Sequence, residues 1–222
     1  MEKLKEWKEQ LLLVFQNKTI DAIFPPLIFF LANQFFSLEM SAGLTLIYLV
    51  ALIIYRVFKK HTKKYVLVGV GGSLVSIGFS FWSGEAINYY LPGLISTGMI
   101  VIACVASLLM KKPLAALLSH ITRGWPIEWY FRDDIRPAYE IVTLLWAVYF
   151  FIRLAVQTPL FLMEAFSAYF FVNNILGWPL NITILIITYV IGIQQLRKRK
   201  GPSVEEFINN EQPPFEGQQK GF

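Results

Sequence analysis

The chain is short of the residues that soluble chemistry depends on. It has one cysteine, Cys104, and two histidines, His61 and His120, among 222 residues. A disulfide scaffold is excluded, because no second thiol exists to pair. Charged residues make up only 16%, against roughly a quarter in soluble domains. Disorder is excluded too, since disordered chains are poor in apolar residues.

Apolar side chains fill the space left by the missing charge. They form 55% of the chain and aromatics 16%, with a mean hydropathy of +0.51. A chain this short has too little interior to hide that much apolar surface, so lipid must solvate it. An ordinary cytosolic enzyme does not fit this composition.

A transmembrane helix needs about 20 mostly apolar residues. Six stretches qualify: Ile20 to Phe36, Ser41 to Phe58, Tyr65 to Trp82, Tyr90 to Met110, Ile141 to Met163 and Pro179 to Leu196. The expected fold is therefore all-α, a polytopic bundle of six transmembrane helices over residues 19–196. Very short links after the first and third spans read as tight hairpins. Nineteen of the 20 Lys and Arg residues lie before span one, from the last turn of span two to span three, between four and five, or after span six. The remaining links carry none. By the positive-inside rule both termini are cytoplasmic.

Residues 1–18 place Leu4, Trp7, Leu11 and Phe15 at helical spacing, and alternate acidic residues with lysines. They read as an amphipathic helix lying on the inner membrane surface rather than as a signal peptide. The inner loop 111–140 holds a second such stripe, Leu114, Leu117, Leu118 and Ile121. Residues 197–222 read as a basic anchor, Arg197 to Lys200, followed by a disordered tail rich in Pro, Gly, Gln and Glu. The outer segment from Glu164 to Trp178 reads equally well as a loop or as an interfacial helix.

Arg153 is the twentieth basic residue and falls within span five. An arginine there costs a few kcal/mol even on lenient insertion scales. Gln157 follows at i+4 and shares its face, and an uninterrupted helix would bring Glu164 within about 40° of them. This face is expected to point inward, either as a site for an anionic group or as a structural anchor, with Asn33 and Gln34 of span one as candidate partners. Glu85 and Asn88 are further candidates. Asp21 reads as a helix cap. Gly69, Gly72, Ser73, Ser76 and Ser80 in span three lie at helical spacing and allow another helix to approach closely. Pro25, Pro26 and Pro159 are candidate kinks, and Pro92 a first-turn proline.

His120, Asp133 and Asp134 are the residues nearest to an enzymatic or metal-binding group, but no ligand spacing connects them. No metal or cofactor is expected, and no nucleic acid. The expected partners are the lipid bilayer, other membrane proteins or a second copy.

Several short motifs carry a resemblance. The stretch Ala86 to Leu94 contains Leu91-Pro92-Gly93, and Lys111-Lys112-Pro113-Leu114 follows span four. Thr143 to Val148 contains Trp146, the run Arg153 to Leu160 holds an Arg with a Val-Gln pair, and Gly177-Trp178-Pro179-Leu180 opens span six. Over roughly Asp21 to Leu196 the chain resembles the uncharacterised family of bacterial polytopic membrane proteins catalogued as domain of unknown function 3159. The segment Trp146-Ala147-Val148-Tyr149-Phe150 also resembles the intracellular septation protein A family, whose members are inner-membrane components linked to division and envelope work. These resemblances imply a multi-pass protein of a bacterial cell membrane and supply no substrate. The function expected is a non-enzymatic envelope component of the septation type. The alternative is a small permease for an anionic or polar solute, using Arg153 and Gln157.

Overall fold

Helix is the only regular structure found among the described residues. The computed structural model describes residues 20–58, 63–219 and 221–222. The amphipathic helix expected over 1–18 lies outside them, as does the side chain of Asp21. The helices are α1 (Ile20–Phe35), α2 (Leu38–Phe58), α3 (Lys63–Ser83), α4 (Leu91–Leu109), α5 (Leu114–Arg123), α6 (Ile127–Tyr130), α7 (Arg136–Leu162), α8 (Phe166–Ile175), α9 (Trp178–Arg199) and α10 (Val204–Ile208). A 3₁₀ turn, Ala86–Tyr90, leads into α4.

Each of the six apolar stretches carries a helix. Among the described residues, four runs are long and apolar enough to cross a membrane: Leu38–Tyr55, Ala86–Leu109, Arg136–Leu162 and Phe166–Arg199. Phe24–Phe35 and Val70–Ser83 are apolar but shorter. Many large apolar side chains on these helices face outward, Ile47, Ile102 and Phe151 among them. In water that would be a liability, and in lipid it is the ordinary state.

The chain divides into two compact units, residues up to 93 with 164–170, and residues 94–163 with 171–222. The first unit is held by aromatic stacking. Phe29 lies on Tyr89 with ring centroids 4.3 Å apart, Phe30 lies on Phe170 at 3.8 Å, and Tyr90 meets Tyr169 at 4.9 Å. Each contact takes two large apolar ring surfaces out of reach of solvent. The hairpin between α1 and α2 is secured by Ser41, whose backbone N–H and hydroxyl both donate to the Ser37 carbonyl. After α3 the chain turns at Gly84, whose φ of +75° favours glycine.

The second unit packs α7 against α5 and α9. The first N–H groups of α5 have no carbonyl within their own helix. Ser107 Oγ accepts from the Leu114 N–H at 3.0 Å, and Thr143 Oγ1 accepts from the Ala115 N–H at 3.1 Å. A serine from α4 and a threonine from α7 thus cap the amphipathic helix and fix its start. The helix stops at Gly124, with φ +71°, whose N–H donates to the His120 carbonyl. Pro113 at its entry and glycine past its end follow the usual asymmetry of helix termini.

One open point of chain organisation is resolved and one expectation changes. The segment 164–178 is helical over Phe166–Ile175. The tail expected to be disordered instead folds back on the second unit. Val204 is buried, and Phe207 and Phe222 pack against a core of Trp129, Tyr130, Ile135, Tyr139 and Leu196. Average composition hid this order, because a few aromatic anchors do the packing between polar residues. A capping box closes α10: Ser203 Oγ accepts from the Glu206 N–H, and the Glu206 carboxylate accepts from the Ser203 N–H.

Candidate functional site

Arg153 and Gln157 stand one turn apart on α7 and meet Asn173 of α8. Asn173 Oδ1 accepts from Arg153 Nη2 at 3.1 Å and from Gln157 Nε2 at 2.9 Å. A looser contact at 3.4 Å joins Arg153 Nε to Gln157 Oε1. Gln157 is only 1% exposed, so its amide depends on these partners. One turn before Arg153, the Tyr149 hydroxyl donates to the Leu176 carbonyl.

The run Phe166–Arg199 would measure about 50 Å as one straight helix, well beyond a hydrocarbon core of about 30 Å. It is interrupted between α8 and α9 at Gly177. A Cβ at that residue would lie 2.7 Å from the Asn173 carbonyl oxygen and 3.4 Å from that of Asn174. Only glycine lets the chain turn this tightly over the end of α8. The last carbonyls of a helix carry partial negative charge. Tyr149 donates to one of them, and Arg153 bonds a side chain of the same final turn. Among the described residues no carboxylate lies within ion-pair distance of Arg153. Its compensation there comes from neutral amides and the end of a helix dipole.

The remaining candidates fall elsewhere. Asn33 and Gln34 belong to the first unit, where Gln34 Nε2 contacts Ser167 Oγ at 3.4 Å. Asn88 donates to Ser83 Oγ at 2.9 Å. Glu164 does not share the Arg153 face, because α7 ends at Leu162 and Glu164 takes a left-handed φ of +54°. In α3, Ser80 is fully buried and donates back to the Ser76 carbonyl. A Cβ at Gly72 would meet nothing within 4 Å. The surroundings of Gly69 lie outside the described side chains, and Ser73 lies partly buried between the two ends of the stripe.

The polar residues of the segment 111–140 each have separate employment. His120 Nδ1 pairs with the Trp125 carbonyl at 2.6 Å. Asp134 binds Arg132 through both carboxylate oxygens, at 3.0 and 2.8 Å, and Asp133 binds Arg136 at 3.0 Å. Among the described residues no group of three His, Cys, Asp or Glu side chains could hold a metal ion.

Sequence reasoning missed Asn173, Tyr149 and Gly177. A signal was present: Asn173-Asn174 is a pair of amides in an aromatic stretch, with a glycine three residues on.

Residues 16–199 match the family described as protein of unknown function (DUF3159). The match covers most of the chain, and the protein belongs to that family. No curated protein and no solved structure matches it.

Proposed function

We propose that the protein is a non-enzymatic component of a bacterial inner membrane, crossing it six times with both ends cytoplasmic. It acts, on this reading, in the manner of a septation-type envelope protein, through helix packing and contacts with other membrane proteins or a second copy. The observation that carries this is the closure of the Arg153 cluster. Arg153 and Gln157 both bond Asn173, and Tyr149 bonds the adjoining helix end. Such an arrangement supports a clamp that holds the turn between α8 and α9. The orientation rests on the placement of Lys and Arg. The open side of α3 at Gly72 supports close approach by another helix.

Native mass spectra of the protein released gently from its own membrane test the proposal. Assemblies with other membrane proteins, or copies of itself, are expected. A solitary monomer would count heavily against it.

One observation favours a second reading, a small permease for an anionic or polar solute. Interrupted helices build binding sites in some transporters, and the interruption at Gly177 sits beside the intramembrane arginine. This reading expects Arg153→Ala to fold normally and to lose solute uptake in liposomes. Aggregation of that variant would leave the clamp as the better account.

A further inference from the structure

We infer that residues 201–222 are an exchangeable strap over a groove that receives acidic, aromatic-bearing peptide segments, the strap being the groove's own intramolecular occupant. The Phe222 ring stacks on Tyr139 with centroids 4.3 Å apart and planes 13° from parallel. Its other side fills the space left by Gly192 in α9, where a Cβ would run into the ring. A glycine within a helix weakens that helix, and this one makes a seat for an aromatic ring.

The other anchors hold backbone. Arg123 Nε donates to the Phe222 carbonyl at 3.0 Å, Arg197 Nη2 to the Gln219 carbonyl at 2.7 Å, and Trp129 Nε1 to the Pro202 carbonyl at 2.9 Å. Contacts of this type select an aromatic side chain at one position and leave the rest of the sequence free. Charge adds the second criterion. The strap carries Glu205, Glu206, Glu211 and Glu216, while Arg123, Arg132 and Arg197 line the surface beneath it.

The seat also retains an unmet polar group. Ser119 Oγ pairs with Tyr130 Oη at 3.0 Å. Tyr139 Oη, fully buried against Phe222, has no partner among the described residues. The bound strap leaves that hydroxyl unsatisfied, so a segment offering it a polar atom can compete for the groove. The strap has the pivots that exchange requires: Lys200 takes a left-handed φ of +53°, Gly217 +78° and Gly221 +81°.

The test uses the full-length protein in phosphatidylcholine nanodiscs and a fluorescent peptide of residues 201–222, followed by anisotropy and by hydrogen exchange of the strap. Phe222→Ala should open the strap and bind the peptide at least tenfold more tightly than the unaltered protein, whose groove is already filled. Adding Gly192→Val should abolish that binding by closing the ring seat. A peptide whose residue equivalent to Phe222 is alanine should not bind. Three results would overturn the inference: equal peptide binding with and without Phe222→Ala, a strap that stays protected from exchange in both Phe222→Ala and Gly192→Val, or an opened strap with no peptide binding. Occupation of the opened groove by added phosphatidylglycerol in place of the peptide would also overturn it.

Discussion

Two arginine sites in this molecule solve one electrostatic problem in opposite ways. Between α6 and the first turns of α7, Arg132 meets Asp134 through two hydrogen bonds, and Arg136 meets both Asp133 and Glu140. There water is at hand, and Asp133 is almost fully exposed. Within α7, Arg153 is met by Asn173 and Gln157, with a helix end alongside. Carboxylates are cheap where solvent shares their charge. In an apolar segment a second buried ion adds its own desolvation cost, which the pairing often fails to repay. Neutral amides and backbone dipoles avoid that cost. The price of this solution is rigidity, because each amide must stay where the cation is.

That difference is broken most sharply at Asn173. Asn173→Leu removes the acceptor shared by Arg153 and Gln157 and strands both donors in an apolar surrounding. Stranding a buried amide and a half-buried charge should destabilise the second unit by about 2–4 kcal/mol, read as unfolding in mixed micelles. Asn173→Gln, which keeps the acceptor, should recover part of the loss. No loss in the leucine variant would mean that Arg153 is solvated from elsewhere. Gly177→Ala attacks the same cluster through the backbone. Its Cβ would stand 2.7 Å from the Asn173 carbonyl, and relieving that contact should cost about 1–3 kcal/mol, as overpacking does. Unchanged stability would show that the turn between α8 and α9 can relax.

The same contrast explains what could be read in advance. Helix positions followed from apolar length alone, because lipid demands a continuous helix wherever the run is long enough. The amphipathic stripe from Leu114 to Ile121 was equally legible, and α5 spans it, with Ile121 75% exposed. Arg153 and Gln157 were found because i and i+4 share a face. Asn173 was not, since its partnership spans 20 residues and depends on the turn at Gly177. Glu164 was drawn onto the Arg153 face by extending a helix that ends at Leu162. The tail misled for a different reason. Its order comes from long-range anchors such as Phe222 on Tyr139, which no local window contains.

Glu206 tests the tail through pH. Its carboxylate accepts from the backbone N–H groups of Ser203, Glu216 and Gly217 at 2.6, 2.7 and 3.1 Å. The Ser203 N–H foremost, with the others, holds the carboxyl down to about 2 from an ordinary 4.5. Between those values the released chain binds a proton that the folded strap excludes, so acid favours release. The contribution is complete above about pH 4.5 and is lost as pH falls through about 2. Hydrogen exchange at Gly217 should therefore speed up across that window, and Glu206→Gln should remove the dependence. A flat profile in the unaltered protein would mean that the three N–H groups are not what orders the strap.

The smallest effect is expected where charge is best paired by eye. The Arg132–Asp134 bond is bidentate, and its hydrogen bonds with Asp134 raise the Arg132 guanidinium's affinity for its proton. Yet the two side chains are 35% and 31% exposed, and water supports either charge when the other is gone. Asp134→Asn should cost no more than about 1 kcal/mol. Added salt should shrink even that, since the Debye length falls to about 3 Å at 1 M. The loss from Asn173→Leu should hardly respond to salt, because the groups it strands are out of reach of mobile ions. A salt-sensitive Asn173→Leu would place the Arg153 cluster in water and remove the reason for meeting that arginine with neutral amides.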